Sequence, residues 1–206
     1  GPSLLLEDLL TKPANSLVNQ SFEPEHHHLL QLGGVGFAAW EKGSAYADEP
    51  LIYKSCQAAF FDKNLQAIAR KIRTDNLLAH IRATSYSDKG VISDENCHPF
   101  IYPGFKLALA HNGGLPGWRD MLQDIIAECK QEIVARLTGS TDTEPLYCLL
   151  MSQYEDPTKD MDAEEIVGVD RGAVIAVFPD VEVVGPVGYV VELEGHVRAG
   201  AGGRHV

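Results

Sequence analysis

Residues 77–84 read LLAHIRAT, an apolar run that ends abruptly at Arg82. Residues 105–114 read FKLALAHNGG, where a second apolar run gives way to Asn112, Gly113 and Gly114. A short apolar run bounded by polar and turn residues is typical of a buried strand. The two stretches therefore predict buried strands over residues 77–81 and 105–111, each ending in polar residues at a sheet edge, where sites are commonly built.

The remaining sequence mixes helical and strand patterns around these two runs. Helices are predicted over residues 4–10, 62–73, 121–137 and 145–154, with Ser3 and Asp62 as N-caps of the first two. Further strands are predicted over residues 36–40, 51–53, 174–178, 181–184 and 189–193. Helices mixed with short, turn-separated strands indicate an α+β fold with antiparallel sheet.

Composition favours one globular domain over residues 1–206, with 45% hydrophobic residues. The net charge of −12 argues against nucleic-acid binding. No apolar run approaches the roughly 18 residues of a membrane helix, and the acidic start is unlike a secretory signal. Four irregularly spaced cysteines without a C-x-x-C pair favour free thiols in a reducing cytosol. We therefore expect a cytoplasmic protein that binds neither nucleic acid nor membrane.

Four polar residues form a set with complementary chemistry. Arg82 can hold a carboxylate by a bidentate pair, and Asp142 can accept hydrogen bonds from an ammonium group. The amide of Asn112 and the backbone N–H of Gly113 can stabilise an oxyanion. An α-amino acid needs both charges, and the oxyanion hole then falls near its side-chain carbonyl. This is the geometry for attack on the amide of glutamine or of a γ-glutamyl compound.

Each of these residues also has an ordinary structural explanation. An arginine at a strand end is commonly a surface salt-bridge partner, Asn-Gly is commonly a hairpin turn, and Ser-Thr-Asp is commonly a helix cap. Their joint occurrence in this order favours the site.

The histidines receive structural interpretations. His26, His27 and His28 are adjacent and point in different directions, so a solvated loop is favoured over a metal site, and no metal or cofactor is expected. His80 lies in an apolar run and is predicted to be a satisfied core residue. His111 adjoins the predicted oxyanion hole.

Four motifs in order carry a family resemblance: LAHIRAT, ENCHPF, AHNGG and STDTEPL. They resemble the class II glutamine amidotransferases, in particular the single-domain branch. That branch includes the γ-glutamyl amidohydrolase of ergothioneine synthesis and the fungal amidotransferase-like subunit of glutathione breakdown. The resemblance covers residues 1 to about 153 and fades beyond Gln153.

The resemblance implies a four-layer α/β/β/α N-terminal-nucleophile hydrolase sandwich with antiparallel sheets, open to being incomplete at both ends. It implies that Arg82 binds the substrate α-carboxylate, Asp142 the α-amino group, and Asn112 with Gly113 the oxyanion. Thr84 or Ser85 lines the pocket, and the spacing leaves that choice open.

The implied reaction is amide hydrolysis through a γ-glutamyl thioester on an N-terminal cysteine. No synthase domain is expected in these 206 residues. Released ammonia therefore passes to a partner subunit, or the reaction is plain hydrolysis. Cys97 and His98 look structural rather than a nucleophile–base pair.

The sequence departs from the family pattern in two further places. It begins with Gly1, which has no nucleophilic side chain. A shortened chain, an omitted upstream segment and a protein that has lost its nucleophile all explain this, and the surviving binding residues favour the first two. In a segment where the family has N-x-D-G-F-G, Gly33 and Val35 replace the Asn and Asp. The alternative function is a catalytically inactive module that binds glutamine or a γ-glutamyl compound, or that is regulatory.

Overall fold

The computed structural model describes residues 3–23, 30–84, 92–112, 114–160, 181–184 and 190–194. Its strands are β1 (Leu4–Leu5), β2 (Val35–Trp40), β3 (Leu51–Ser55), β4 (Arg73–Thr74), β5 (Asn76–Ile81), β6 (Ala108–Asn112), β7 (Val181–Val184) and β8 (Val190–Glu194). Its α-helices are α1 (Glu7–Leu10), α2 (Leu17–Gln20), α3 (Lys63–Ala69), α4 (Trp118–Ala127), α5 (Gln131–Val134) and α6 (Thr143–Gln153). No helix in this part of the chain is long and apolar enough to cross a membrane.

The strands pair into three small sheets. β2 lies between β3 and β5 and is antiparallel to both, while β1 and β4 form a two-stranded antiparallel ladder. In the third sheet β8 is antiparallel to β7 but parallel to β6. The predicted mixture of helices and antiparallel sheet is confirmed, with the β6–β8 pair as a parallel exception.

Side-chain alternation decides what each face of the first sheet contacts. Val35 and Phe37 of β2 and Ile81 of β5 face one way and pack in a buried cluster with residues of α1, α2 and α3. Leu78 of β5 faces the opposite side of the sheet, where it packs against Ala108 and Ala110 of β6. The two sheets therefore meet where Leu78 packs on the small side chains of β6.

Helices α4, α5 and α6 cover the opposite face of β6. Leu109 of β6 lies in a second large cluster with Ile125, Ile133 and Tyr147 from the three helices. Every residue of α6 from Thr143 to Met151 is buried. A helix enclosed on all sides holds its first turn in a fixed position, and that turn begins at the site described below.

The predicted helix over residues 62–73 is confirmed in its start. The carboxylate of Asp62 accepts hydrogen bonds from the backbone N–H groups of Asn64 and Leu65, both at 3.0 Å, which satisfies donors of the first turn. The helix ends at Ala69, earlier than predicted.

Two other helix predictions were wrong in their extent. Residues 4–10 contain a short strand before α1, and Ser3 does not cap that helix. The helix predicted over residues 121–137 is interrupted at Lys130, which is extended. The backbone N–H of Lys130 donates to Ser152 Oγ at 2.9 Å, and its ammonium reaches the carbonyl oxygens of Tyr154 and Glu155. These tertiary contacts override local helix propensity. The strand predicted over residues 174–178 lies outside the described residues.

Candidate active site

A cleft of about 580 Å³ opens where β5 and β6 end and α6 begins. Arg82, Thr84, Asn112 and Asp142 all line it, although they come from segments far apart in sequence. The structure therefore brings together four of the five residues that the sequence singled out. The fifth, Gly113, lies outside the described residues, as do Ser85 and the three consecutive histidines.

Arg82 follows directly after β5, and its backbone continues the ladder. The N–H of Arg82 donates to the carbonyl of Gly34, and the N–H of Gly33 donates to the carbonyl of Arg82, both at 2.9 Å. A Cβ on Gly33 would lie 2.8 Å from that carbonyl oxygen, so only glycine fits this approach. Arg82 is 9% exposed, which places a guanidinium charge in the wall of the cleft. A cation this shielded from water attracts an anionic ligand more strongly than a surface cation does.

Asp142 occupies the N-cap position of α6 without making a side-chain capping bond. Its carboxylate accepts hydrogen bonds from the backbone N–H of Leu115 at 2.7 Å and from Thr143 Oγ1 at 3.2 Å. The first bond ties the segment after β6 to the start of α6. The carboxylate is partly exposed, and a carboxylate has further lone pairs that a ligand ammonium can use.

Three buried histidines, His80, His98 and His111, contact the residues that line the cleft. The Nε2 atom of His80 lies 2.9 Å from Asn112 Oδ1, and the rings of His80 and His98 are 4.3 Å apart between centroids. His98 Nδ1 accepts from the backbone N–H of His111 at 3.2 Å, and His111 Nδ1 lies 3.1 Å from Thr143 Oγ1. The three side chains connect the end of β5, the end of β6 and the start of α6.

Burial keeps these histidines neutral near pH 7. It lowers the pKa of His80 to about 4 and holds the pKa of His98 well below its usual range. Burial also lowers the pKa of His111, against an opposing effect of the Asp142 carboxylate. Among the described residues no group of three His, Cys, Asp or Glu side chains could hold a metal ion. The cluster therefore acts through hydrogen bonds rather than through charge.

None of the four cysteines, all within the described residues, lines the cleft. Burial raises the pKa of Cys97 to about 11 and that of Cys148 to about 12. Burial also raises the pKa of Cys129, and a hydrogen bond with Asp94 raises that of Cys56. A thiol with a raised pKa is a poor nucleophile at neutral pH. The prediction that Cys97 and His98 are not a nucleophile–base pair fits the position of Cys97, whose Sγ lies 3.4 Å from the carbonyl oxygen of Ser55.

The sequence interpretation of His80 was incomplete. His80 is buried, at 8% exposure, but it lines the cleft and contacts Asn112. Its Nδ1 atom has no hydrogen-bond partner among the described residues. The available signal was its spacing: residues 80 and 82 are two apart, so a strand directs both to the same face. Trp118, the first residue of α4, also lines the cleft.

A family model described as glutamine amidotransferases class-II matches residues 22–193. The chain belongs to the class II glutamine amidotransferases. The match runs 40 residues past Gln153, so the expectation that family similarity fades there was wrong. The departure at Val35 has a local explanation, because Val35 is 2% exposed and packs in the core beside α1 to α3.

Two curated proteins are similar to this amidotransferase domain. The probable glutamine amidotransferase DUG3 of Saccharomyces cerevisiae is 32% identical over 163 residues, which are 75% of this chain and 44% of that protein. An uncharacterized protein of Methanocaldococcus jannaschii is 33% identical over 87 residues, 41% of this chain and 21% of that protein. The chain thus spans less than half the length of the curated relatives it matches.

A solved structure supports the fold of this amidotransferase domain. A glutamine aminotransferase class-II domain protein from Silicibacter pomeroyi superposes with a TM-score of 0.50 at 24% identity, covering 74% of this chain and 52% of that one.

Proposed function

We propose that this domain binds glutamine, or the γ-glutamyl part of a larger amide, and supports hydrolysis of the γ-amide bond. One observation carries the proposal: Arg82, Asn112 and Asp142 line a single cleft. Membership of the class II glutamine amidotransferases supports it independently.

Recognition of the substrate's α-amino-acid group rests on the positive charge of Arg82 and the negative charge of Asp142. The α-carboxylate pairs with the Arg82 guanidinium, whose planar fork suits bidentate binding. The α-ammonium donates to Asp142, which Leu115 and Thr143 hold in place. Glutamine, a γ-glutamyl peptide and a γ-glutamyl sulfoxide share this α-carboxylate and α-ammonium. The proposed substrate is therefore a class of γ-glutamyl compounds that includes glutamine.

The reaction places a negative charge on the γ-carbonyl oxygen. In the proposed step a thiolate attacks the carbonyl carbon, and the Asn112 amide and Gly113 N–H donate to the resulting oxyanion. The C–N bond then breaks, and ammonia or an amine leaves with the proton that the thiol released. Water next cleaves the thioester to give glutamate and restore the thiol.

The nucleophile in this proposal is an N-terminal cysteine, because no described cysteine lines the cleft. No cofactor takes part. Ammonia passes to a partner subunit or leaves as product. The four-layer sandwich belongs to the same proposal, and it is supported by the order of helices and sheets across the three buried clusters.

The test begins with the natural gene product, expressed from its own start codon. Intact mass should show a cysteine exposed at the N-terminus, and the protein should release glutamate from glutamine. Asn112→Ala should slow that release by about 100-fold or more, since it removes one oxyanion donor. Asn64→Ala, on an exposed position of α3, serves as the control and should be unchanged. A product that starts with cysteine, binds glutamine and releases no glutamate would contradict hydrolysis.

A second candidate is a binding module that holds glutamine without turnover. The observation in its favour is that the four cysteines of the sequence stay away from the cleft and have raised pKa values. A natural product without a terminal cysteine that binds glutamine by calorimetry, with no glutamate released, would establish it.

A further inference from the structure

We propose that His80 is a positioning residue that orients the side-chain amide of Asn112 for oxyanion binding. Its Nε2–H donates to Asn112 Oδ1, so the NH2 end of the amide is the end that serves a ligand. This inference rests on the proposed function of Asn112.

Strand alternation places the two side chains in the same space. His80 is two residues from Leu78 in β5, and Asn112 is two residues from Ala110 in β6. Leu78 and Ala110 pack together where the two sheets face each other. His80 and Asn112 therefore meet at the end of that interface where it opens into the cleft, with 2.9 Å between Nε2 and Oδ1.

The hydrogen-bonding capacity of the pair decides the orientation of the amide. An amide oxygen only accepts, so contact with Oδ1 requires a proton on Nε2 and leaves Nδ1 without one in the neutral ring. Nδ1 is buried, and no described residue lies within hydrogen-bonding geometry of it. The reversed amide would require a proton on Nδ1, and a buried N–H without an acceptor is rarer and costlier than an unused lone pair. The burial that lowers the pKa of His80 keeps the ring in the neutral form that this arrangement needs.

The neighbouring backbone is held by a separate bond. His98 Nδ1 accepts from the N–H of His111, the residue before Asn112. The contact with His80 acts on the side chain of Asn112 rather than on its backbone, because it limits rotation of the amide. His80 restricts that rotation, and pre-oriented donors stabilise an oxyanion without reorganisation during the reaction.

The first measurement is independent of activity. Long-range ¹H–¹⁵N correlation spectra of the histidine rings at pH 7 should show Nε2 of His80 protonated and Nδ1 unprotonated, with assignment from a His80→Gln sample. A proton on Nδ1 would overturn the proposal, because Nε2 could then only accept from Asn112.

The second measurement separates positioning from folding, with glutamine hydrolysis by the complete natural chain. His80→Leu should lower kcat by about 10- to 100-fold and leave KM within about twofold. This decrease in kcat is smaller than the one expected for Asn112→Ala, which removes the donor altogether. His80→Gln, which places an amide N–H near the position of Nε2, should recover most of that loss. Leu78→Ala is the matched control: it weakens the same sheet interface, and its kcat should stay at the wild-type value.

Equal losses in His80→Leu and Leu78→Ala, or no recovery in His80→Gln, would overturn the positioning role. A wild-type chain that hydrolyses no amide would instead contradict the proposed function, and the ring tautomer would still decide whether His80 donates to Asn112.

Discussion

At the scale of single residues, the proposed role of Arg82 in the cleft is to bind the carboxylate of the ligand. The side chain is 9% exposed and follows a strand whose ladder continues through its backbone. A guanidinium can form two parallel hydrogen bonds with a carboxylate, which a lysine ammonium cannot reproduce.

Arg82→Lys is therefore expected to weaken glutamine binding although it keeps the charge. Loss of one charged hydrogen bond corresponds to about 10- to 100-fold in Kd, measured by calorimetry. Arg70→Lys, at an exposed position after α3, is the matched control and should bind like the wild type. An unchanged Kd in Arg82→Lys would remove Arg82 from carboxylate recognition.

Asp142→Asn should cost affinity only for ligands that carry an α-ammonium. The replacement keeps an oxygen that can accept from the Leu115 N–H but loses the negative charge. Glutamine should bind about 10-fold or more weakly, whereas 4-carbamoylbutanoate, which lacks the amino group, should bind equally to both proteins. Parallel losses for the two ligands would indicate a purely structural effect on the start of α6.

The residues that line the cleft were easier to predict from the sequence than the residues that hold them in position. Arg82, Asn112 and Asp142 stand out because polar residues end apolar runs or begin a helix. His80 stands out less, because only its spacing of two residues from Arg82 distinguishes it from a core residue. Its contact with Asn112, 32 residues away, depends on two sheets facing each other, which local patterns do not encode.

At the scale of elements, β2 passes so close to a neighbouring chain segment that one position has no room for a side chain. A Cβ on Gly36 would lie 2.1 Å from the carbonyl oxygen of His98. The same segment supplies the His98 ring that binds the backbone of β6. The position of β2 is thereby linked to the wall of the cleft.

Gly36→Ala is expected to destabilise the fold by about 1–3 kcal/mol or more, since the backbone carbonyl has to move. Urea denaturation measures the change in the free energy of unfolding. Gly43→Ala is the matched control, because a Cβ there meets no atom of the described residues within 4 Å, and its stability should match the wild type. Equal stability of the two variants would show that β2 and His98 are less closely packed than the structure has them.

Elements were predictable where their signals are local. The start of α3 follows from one acidic cap at Asp62, and β5 follows from a short apolar run. The break between α4 and α5 does not, because Lys130 leaves the helix for partners more than 20 residues away. The parallel pairing of β6 with β8 likewise depends on a strand over 70 residues later.

At the scale of the whole molecule, three neutral histidines are buried where the two larger sheets and α6 meet. His80, His98 and His111 are each less than 9% exposed and lie where β5, β6 and α6 converge. Burial, the positive Arg82 and the His111 ring disfavour a positive charge on His80, and they outweigh the polar contacts with Asn112 and the His111 backbone, which favour it. Protonation at this junction therefore opposes folding.

Mild acid should for this reason destabilise the protein. The folded-state pKa of His80, about 4, lies below the value of 6.5 that an exposed histidine has, so the unfolded chain binds more protons between these two pH values. The stabilisation is fully present above pH 6.5 and is lost as the pH falls towards 4. For His80 alone the shift corresponds to roughly 3 kcal/mol in the free energy of unfolding.

Urea denaturation at a series of pH values between 4 and 7 measures this dependence. His80→Gln removes one titrating group while keeping a donor towards Asn112, so its free energy of unfolding should fall less steeply than that of the wild type across this range. Acidic groups with lowered pKa values, such as Asp62, lose their contribution at lower pH and are common to both proteins. Identical slopes would mean that His80 is already solvated in the folded state, which would also remove the desolvation that keeps its ring neutral beside Asn112.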